Sequence, residues 1–156
     1  SGMLAMRRPI SVMSVDKENG TFDLLYKIVG EGTRQLAGRK IGDVLSVIGP
    51  IGNGFKMTDK KIPLLIGGGV GMPPILAIAQ NIKDNDYFNP YVILGSEVPF
   101  PFDTVVSNLG GFYSSKIHTM PLLEEWGVQG GLTSLQNFEG VYELSLIHIS
   151  EPTRRS

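Results

Sequence analysis

The first part of the chain alternates apolar and polar residues with the period of two that is typical of half-buried β-strands. The alternation predicts strands over 7–15, 21–29 and 43–48, with a tight turn joining the first two into a hairpin. Between the second and third strands, Thr33 is placed to cap a short helical turn that ends near Gly38. This part of the chain is therefore predicted to be antiparallel β-structure.

From residue 61 the pattern changes to short apolar runs that alternate with helical spacing. This alternation is typical of βαβ units, so it predicts a parallel sheet whose glycine-rich turns emerge together at the carboxyl ends of the strands. The first strand of this region is expected to be central in the sheet. The elements predicted are strands over 64–66, 91–94, 113–118 and 141–143, a helix that begins at Pro73, a weak helix over 104–109, and a segment of unassigned type over 132–137.

A glycine turn directly after the strand 64–66 is the strongest local signal in the chain. It allows backbone to approach a ligand closely, and the helix that follows presents its positive end to an anion. The dinucleotide fingerprint is incomplete, because Met72 stands where a third glycine belongs and no acidic residue ends a strand about twenty positions later. Nucleotide binding and an ordinary tight turn both remain open on this pattern alone. The residues concerned are Gly67, Gly68, Gly69, Gly71 and Pro73.

Composition limits the possible functions. With 156 residues, of which 42% are hydrophobic and 19% charged, the chain is long enough to bury a core. A net charge of −1 with dispersed basic residues gives no reason to expect nucleic acid or membranes as partners. No apolar run reaches the roughly twenty residues of a membrane helix and no signal peptide is visible, so a cytoplasmic protein is expected. The absence of cysteine excludes disulfides, thiolate catalysis and cysteine-held metal centres. We assign no catalytic residue and no metal ligand.

Four motifs occur in an order and spacing that resemble a known family. They are Arg8-Pro9-Ile10-Ser11, then Leu25-Tyr26-Lys27 with Gly32-Thr33, then Gly49-Pro50-Ile51-Gly52-Asn53-Gly54-Phe55, and finally the glycine turn with Pro73-Pro74. Together they resemble the ferredoxin-reductase superfamily and, within it, the electron-transfer subunits of two-subunit, NAD-linked dihydroorotate dehydrogenases. The resemblance covers roughly residues 4–143.

The resemblance implies an architecture and a set of ligands. Residues 1–60 would be the remnant of an antiparallel flavin-binding barrel, and 61–143 a parallel-sheet, Rossmann-like domain for NAD(H). In the flavin part, Arg8 would bind the FAD pyrophosphate, and Ser11 would bond the isoalloxazine edge. The remaining residues implied to contact FAD are Pro9, Ile10, Leu25, Tyr26, Lys27, Gly32 and Thr33, and those implied to contact NAD(H) are the residues of the glycine turn.

In intact relatives the implied function is a relay of electrons between NAD(H) and an FMN-containing catalytic subunit, in pyrimidine biosynthesis, through FAD and a [2Fe–2S] cluster. The motifs are also similar to those of the reductase subunit of a ferredoxin-dependent NADP transhydrogenase. A third alternative is a noncatalytic α/β module that binds a nucleotide weakly or not at all.

Two departures from the family pattern affect the expectation. Family members have more barrel strands before the Arg-Pro-x-Ser motif, and they continue into a cysteine-bound cluster domain, whereas this chain has no cysteine. Residues 144–156 resemble the translation of a sequencing adapter, and Ser1-Gly2 resembles the remnant of an expression tag. We therefore expect a truncated fragment, inactive in electron transfer and unable to bind the cluster, which self-associates through uncovered strands.

Overall fold

A computed structural model describes residues 7–57, 59–109, 117–135 and 141–143. The chain divides into two compact units, the first formed by Ser1–Ile10 and Tyr26–Asp59 and the second by Ser11–Leu25 and Lys60–Ser156. This division differs from the boundary near residue 60 that the sequence suggests, because an early hairpin is part of the second unit. The two units are described separately.

The hairpin of the second unit consists of two antiparallel strands, β1 (Val12–Asp16) and β2 (Thr21–Leu24). The side chain of Asp16 accepts hydrogen bonds from the backbone N–H groups of Glu18 and Asn19, each at 3.0 Å, and so closes the turn. Gly20 ends the turn with a φ of +66°. The hairpin is confirmed, although both strands are shorter than the alternation predicts.

The described residues of the first unit form one helix, α1 (Glu31–Ala37), which confirms the predicted helical turn and its end at Gly38. The predicted start is wrong, because the N-cap is Gly30 and Thr33 lies inside the first turn. The predicted strand over 43–48 is wrong, since this segment has no regular structure. Its sequence alternates suitably, but no described strand pairs with it, and a strand without a partner is not stable. Within the described residues of this unit, which are 7–10, 26–57 and 59, no side chain is buried. The predicted barrel therefore remains a prediction.

A four-stranded parallel sheet forms the centre of the second unit and confirms the predicted parallel arrangement. Its order is β3 (Leu64–Gly68), β4 (Tyr91–Ser96), β7 (Gln129–Ser134) and β8 (Tyr142–Glu143), and Gly68 of β3 lies in register with Gly95 of β4. Among the described strands β3 pairs only with β4, so it lies at the edge of the described sheet, and its predicted central position stays a prediction. Between β4 and β7 the described residues also form β5 (Val105–Val106) and β6 (His118–Thr119).

Two helices cover this sheet. Helix α2 (Met72–Ile82) follows the glycine turn and buries an apolar face with residues at helical spacing. The shorter α3 (Pro121–Glu125) buries Leu123. In the parts of the chain that the structure describes, no helix is long and apolar enough to cross a bilayer. The buried core cluster consists of Met72, Ile75, Leu76, Ala79, Val92, Leu94, Met120, Leu123, Val128 and Leu132.

The weak helix predicted over 104–109 is also wrong. Val105–Val106 instead forms β5, which pairs in antiparallel fashion with β6. Two adjacent β-branched residues favour an extended backbone, and a partner strand is available here. Most of the predicted strand over 113–118, the end of the segment 132–137 and all of 144–156 lie outside the described residues.

Candidate functional site

In the first unit the structure brings together two motifs that are distant in sequence. The Arg8 side chain lies directly against Gly32, in the first turn of α1: a Cβ atom at residue 32 would be 2.8 Å from Arg8 Nε and 3.2 Å from Arg8 Cζ. A larger residue at position 32 would therefore require the Arg8 side chain to move. A fixed cation therefore lies beside the start of a helix, which is a favourable combination for an anion.

Thr33 has a structural role in the same turn. Its hydroxyl accepts hydrogen bonds from Val29 N–H at 3.1 Å and Gly30 N–H at 3.3 Å, and donates to Gly30 O at 3.1 Å. A hydroxyl has a single hydrogen to donate. In this structure that hydrogen stabilises the helix start, so the contribution of residue 33 to an anion would come from its backbone N–H.

Glu31 places a negative charge at the start of α1, where it would oppose a phosphate. Its carboxylate accepts hydrogen bonds from Gln35 Nε2 at 3.1 Å and from Arg34 Nη1 at 3.0 Å. These two contacts, first that with Gln35 and then that with Arg34, lower the pKa of Glu31. Arg34 forms an ion pair with this carboxylate, so the negative charge of Glu31 is balanced locally.

The other residues that the resemblance assigns to FAD are divided between the two units. Pro9, Ile10, Tyr26 and Lys27 belong to the first unit, and Tyr26 is half-buried. Ser11 and Leu25 belong to the second unit, where they directly precede β1 and follow β2.

The glycine turn of the second unit uses its glycines for different purposes. Gly67 is buried where β3 approaches α2, and a Cβ atom there would be 2.8 Å from Gly71 O and 2.9 Å from Ile75 Cγ1. Gly69 has a φ of +53°, and a Cβ atom there would have nothing within 4 Å. Gly67 therefore permits helix packing, whereas Gly69 permits the left-handed turn and faces open space.

The start of α2 offers fewer free donors than its position suggests. Met72 N–H bonds to Gly69 O, and the next two residues, Pro73 and Pro74, have no N–H group. No side chain caps this helix. An anion would therefore be bound mainly by the N–H groups of the turn over Gly69–Gly71, assisted by the helix dipole.

Sequence reasoning missed three residues with defined roles. Gly130 lets β7 pack closely, because a Cβ atom there would be 2.9 Å from Leu123 Cδ1 and 3.1 Å from Val92 O. Glu124 accepts hydrogen bonds from Ser107 Oγ at 3.0 Å and Asn108 N at 2.7 Å, which holds the segment after β5. Gln80 bonds the backbone of β1. None of these contacts has a local sequence signal.

Comparison with known proteins finds one family model that matches the first part of the chain. Residues 3–55 match the oxidoreductase FAD-binding domain family. This stretch contains the four-residue motif at Arg8 and the turn at Gly32.

Curated relatives extend the similarity to nearly the whole chain. Proteins named dihydroorotate dehydrogenase B (NAD(+)), electron transfer subunit, from Bacillus cereus (strain B4264) and Bacillus anthracis (strain CDC 684 / NRRL 3495) are each 31% identical to it over 164 aligned positions. The alignments include 93% of this chain and 63% of each relative. The chain thus spans somewhat less than two thirds of the length of these relatives.

A solved structure described as an NADH-dependent reduced ferredoxin–NADP oxidoreductase, in a study of flavin-based electron bifurcation, is also similar. Its TM-score is 0.66 at 25% sequence identity, and the match covers 96% of this chain and 49% of that one. The fold of this chain is therefore similar to that of a ferredoxin–NADP reductase.

Proposed function

We propose, from the match of residues 3–55 to the oxidoreductase FAD-binding domain family, that this chain is the flavin- and nicotinamide-nucleotide-binding part of an electron-transfer subunit. The curated relatives are named as electron transfer subunits of dihydroorotate dehydrogenase B, and their similarity extends over 93% of the chain. In the intact protein this part would bind FAD and NAD(H), so that electrons pass toward an FMN-containing dihydroorotate dehydrogenase catalytic subunit. The chain by itself has no cysteine for the cluster and is not expected to complete that transfer.

The contact between Arg8 and Gly32 is the observation that carries the flavin part of the proposal. Both residues belong to motifs assigned to FAD, and the structure packs them against each other within one unit. Arg8 would bind the FAD pyrophosphate as a bidentate cation, and the N–H groups at the start of α1 would add uncharged donors. The donor set therefore fits a diphosphate.

FAD, when bound, accepts a hydride from NADH, which becomes NAD⁺, and can then release the two electrons one at a time. The residues of the chain bind and orient the reactants. In the second unit, the turn over Gly69–Gly71 would bind the pyrophosphate of NAD(H) through backbone N–H groups. The chain contains no cysteine, so a cysteine-held [2Fe–2S] cluster would have to lie on another polypeptide or on residues beyond this sequence.

A second candidate function follows from the structural comparison. The similar solved structure is described as an NADH-dependent reduced ferredoxin–NADP oxidoreductase, so the chain could instead serve as a reductase subunit for NADP transhydrogenation. The two functions share FAD binding and differ in the electron acceptor. In a mixture that also contains the cluster-bearing part, reduction of a dihydroorotate dehydrogenase catalytic subunit by NADH supports the first function, whereas transfer only to ferredoxin or NADP supports the second.

Flavin titration tests the common step. We expect wild-type protein to bind FAD and quench its fluorescence, and Arg8→Gln to weaken binding about 10- to 100-fold, the usual value of one charge-assisted contact. Arg7→Gln is the matched control, because the neighbouring Arg7 bonds Ser46 Oγ at 2.9 Å instead of lying against Gly32. The proposal fails if wild-type protein takes up no FAD, or if both variants lose equal affinity.

A further inference from the structure

We infer that Gln80 is a positioning residue, which locks the strand following the Arg8–Ser11 motif onto the helix that follows the glycine turn. The contact joins β1 to α2, both within the second unit. The inference rests on the proposed function, since the locked strand directly follows Ser11, which the resemblance assigns to the flavin, and the locked helix begins at the nucleotide turn.

The contact consists of two hydrogen bonds to a single residue. Val15 N–H donates to Gln80 Oε1 at 2.9 Å, and Gln80 Nε2 donates to Val15 O at 2.9 Å. A primary amide is the side-chain group that can both accept and donate in this way, so it substitutes for a neighbouring strand. Because both polar groups of Val15 point to Gln80, they face away from β2 and lie on the free edge of the hairpin.

The two hydrogen bonds between Gln80 and Val15 are the polar part of a larger contact between β1 and α2. β1 packs against α2, and Met13 of β1 contacts the core cluster to which α2 contributes Leu76 and Ala79. Ser14 is 5% exposed, and its Oγ donates to the Asp23 carboxylate of β2. The apolar contacts hold β1 on the helix. The two directed bonds of Gln80 fix the register of Val15 on the helix.

The position of Gln80 explains why the register matters. Gln80 lies about 12 Å along α2 from its first residue, given a rise of 1.5 Å per residue. Val15 lies about 13 Å along an extended chain from Ser11, given 3.3 Å per residue. One side chain therefore connects the segment at Ser11 with the helix that positions the glycine turn. Transfer of a hydride is sensitive to misplacement of about 1 Å, which can cost a hundredfold in rate.

The test compares Gln80→Leu, Gln80→Glu and the control Asn81→Leu. Gln80→Leu removes both bonds at similar volume, whereas Gln80→Glu keeps the acceptor for Val15 N–H and loses the donor. Asn81 lies next along the same helix and is exposed. Amide exchange without ligand is measured first, and the protection of Val15 N–H should fall about tenfold in Gln80→Leu and less in Gln80→Glu. Asn81→Leu should leave it within twofold.

The second measurement uses protein loaded with FAD and mixed rapidly with NADH. The rate of flavin reduction at saturating NADH should fall about tenfold or more in Gln80→Leu, while the dissociation constants of FAD and NADH change less than twofold. Unchanged exchange at Val15 overturns the lock, and lost protection with an unchanged reduction rate overturns the positioning role. Protection of Val92 N–H in β4 reports whether each variant is folded.

The two proposals fail differently. Wild-type protein that binds neither FAD nor NADH contradicts the proposed function and with it the positioning role, whereas the exchange of Val15 N–H still decides the lock itself. Normal binding of both ligands by every variant, together with unchanged reduction rates, contradicts only the role of Gln80.

Discussion

Gly69 combines a left-handed backbone with open space above it, and this combination allows a test that separates ligand binding from folding. Its φ is +53°, and a Cβ atom there would meet nothing within 4 Å. If φ were negative at this position, replacement of Gly69 by valine would test ligand binding with little effect on the fold. At the observed φ, any side chain adds backbone strain of about 1–2 kcal/mol. Replacement by alanine, with a strain-matched control, is therefore the better experiment.

We expect Gly69→Ala to weaken binding of NADH at least tenfold, because the added methyl group occupies the space that the pyrophosphate would use. Gly20→Ala is the control, since Gly20 has a φ of +66° and also has nothing within 4 Å of its Cβ position. Both variants should lose similar thermal stability. Calorimetric titration with NADH should show a loss of affinity for Gly69→Ala alone, and equal affinities would contradict the phosphate-binding turn.

Thr119 has a buried hydroxyl group whose hydrogen-bonding capacity is not satisfied among the described residues. The residue is 0% exposed, and among the described residues its Oγ1 has no hydrogen-bond partner. Burying an unpaired hydroxyl costs about 1–3 kcal/mol. Thr119→Val keeps the shape and removes the polar atom, so it should raise the melting temperature by about 2–4 °C per kcal/mol recovered.

The matched control for Thr119→Val is Thr133→Val. Thr133 lies in β7, is 2% exposed and has an interaction partner. The same replacement there removes a satisfied group, so the melting temperature should fall. Thermal unfolding followed by circular dichroism measures both. A lower melting temperature for Thr119→Val would show that its hydroxyl has a partner in solution.

At the scale of elements, the pKa of Asp16 reports whether the turn of the hairpin is formed. The pKa of Asp16 lies below its ordinary value of 3.8, chiefly because Asn19 donates to the carboxylate from its side chain and then from its backbone, with a smaller contribution from Glu18 N–H. A carboxyl group with a lowered pKa stabilises the folded state above its unfolded pKa. That contribution is lost as the pH falls through the folded pKa, below about 4.

We expect Asn19→Ala to raise the pKa of Asp16 toward its ordinary value, because the largest of the lowering contacts is removed. Carboxyl chemical shifts followed between pH 2 and 6 give this pKa directly. Asn81→Ala, which changes an exposed amide on α2, should leave the titration unchanged. A pKa for Asp16 that is the same in all three proteins would contradict the turn geometry.

Elements were predictable where the local pattern and the tertiary partners agree. The run over Leu64–Ile66 followed by glycines and prolines specifies strand, turn and helix within a few residues, and the structure contains all three. The segment 43–48 has an equally clear strand pattern and forms none, because strand formation depends on a partner that local sequence does not supply. The helix predicted over 104–109 is wrong for a different reason. The strand that forms there, Val105–Val106, has only two residues, which are too few to show a period in the sequence.

The sequence names residues for the candidate site, and their roles stay predictions, but it does not predict the contacts between them. Arg8 and Gly32 were singled out by motif, and their packing follows once the chain folds. The pair of Gln80 and Val15 is separated by 65 positions, and neither residue is unusual in its own segment. Likewise, the use of the Thr33 hydroxyl for capping depends on the path of the preceding backbone. Contacts of this kind come from topology, which single-sequence patterns do not specify.

At the scale of the whole molecule, the described residues of the first unit form no buried core of their own. None of its described residues is buried, and ten of its large apolar side chains are exposed. Soluble monomers rarely show so much apolar surface, and such surface usually marks an interaction site. The ten residues are Ile28, Val29, Ile41, Val44, Leu45, Val47, Ile48, Ile51, Phe55 and Met57.

We therefore expect the chain to self-associate through the first unit, with each copy covering apolar surface of another. Light scattering after gel filtration should give a mass above the 17.0 kDa of one chain at micromolar concentration. The double variant Val44→Lys with Ile51→Lys should reduce that mass, because both side chains are at least 80% exposed and a charge would have to be buried at the contact. Val98→Lys, a similar change at 61% exposure in the second unit, is the control and should have no effect.

A wild-type protein that elutes as a monodisperse monomer and keeps FAD through gel filtration would contradict this expectation, since the first unit would then be stable and able to bind flavin without a partner.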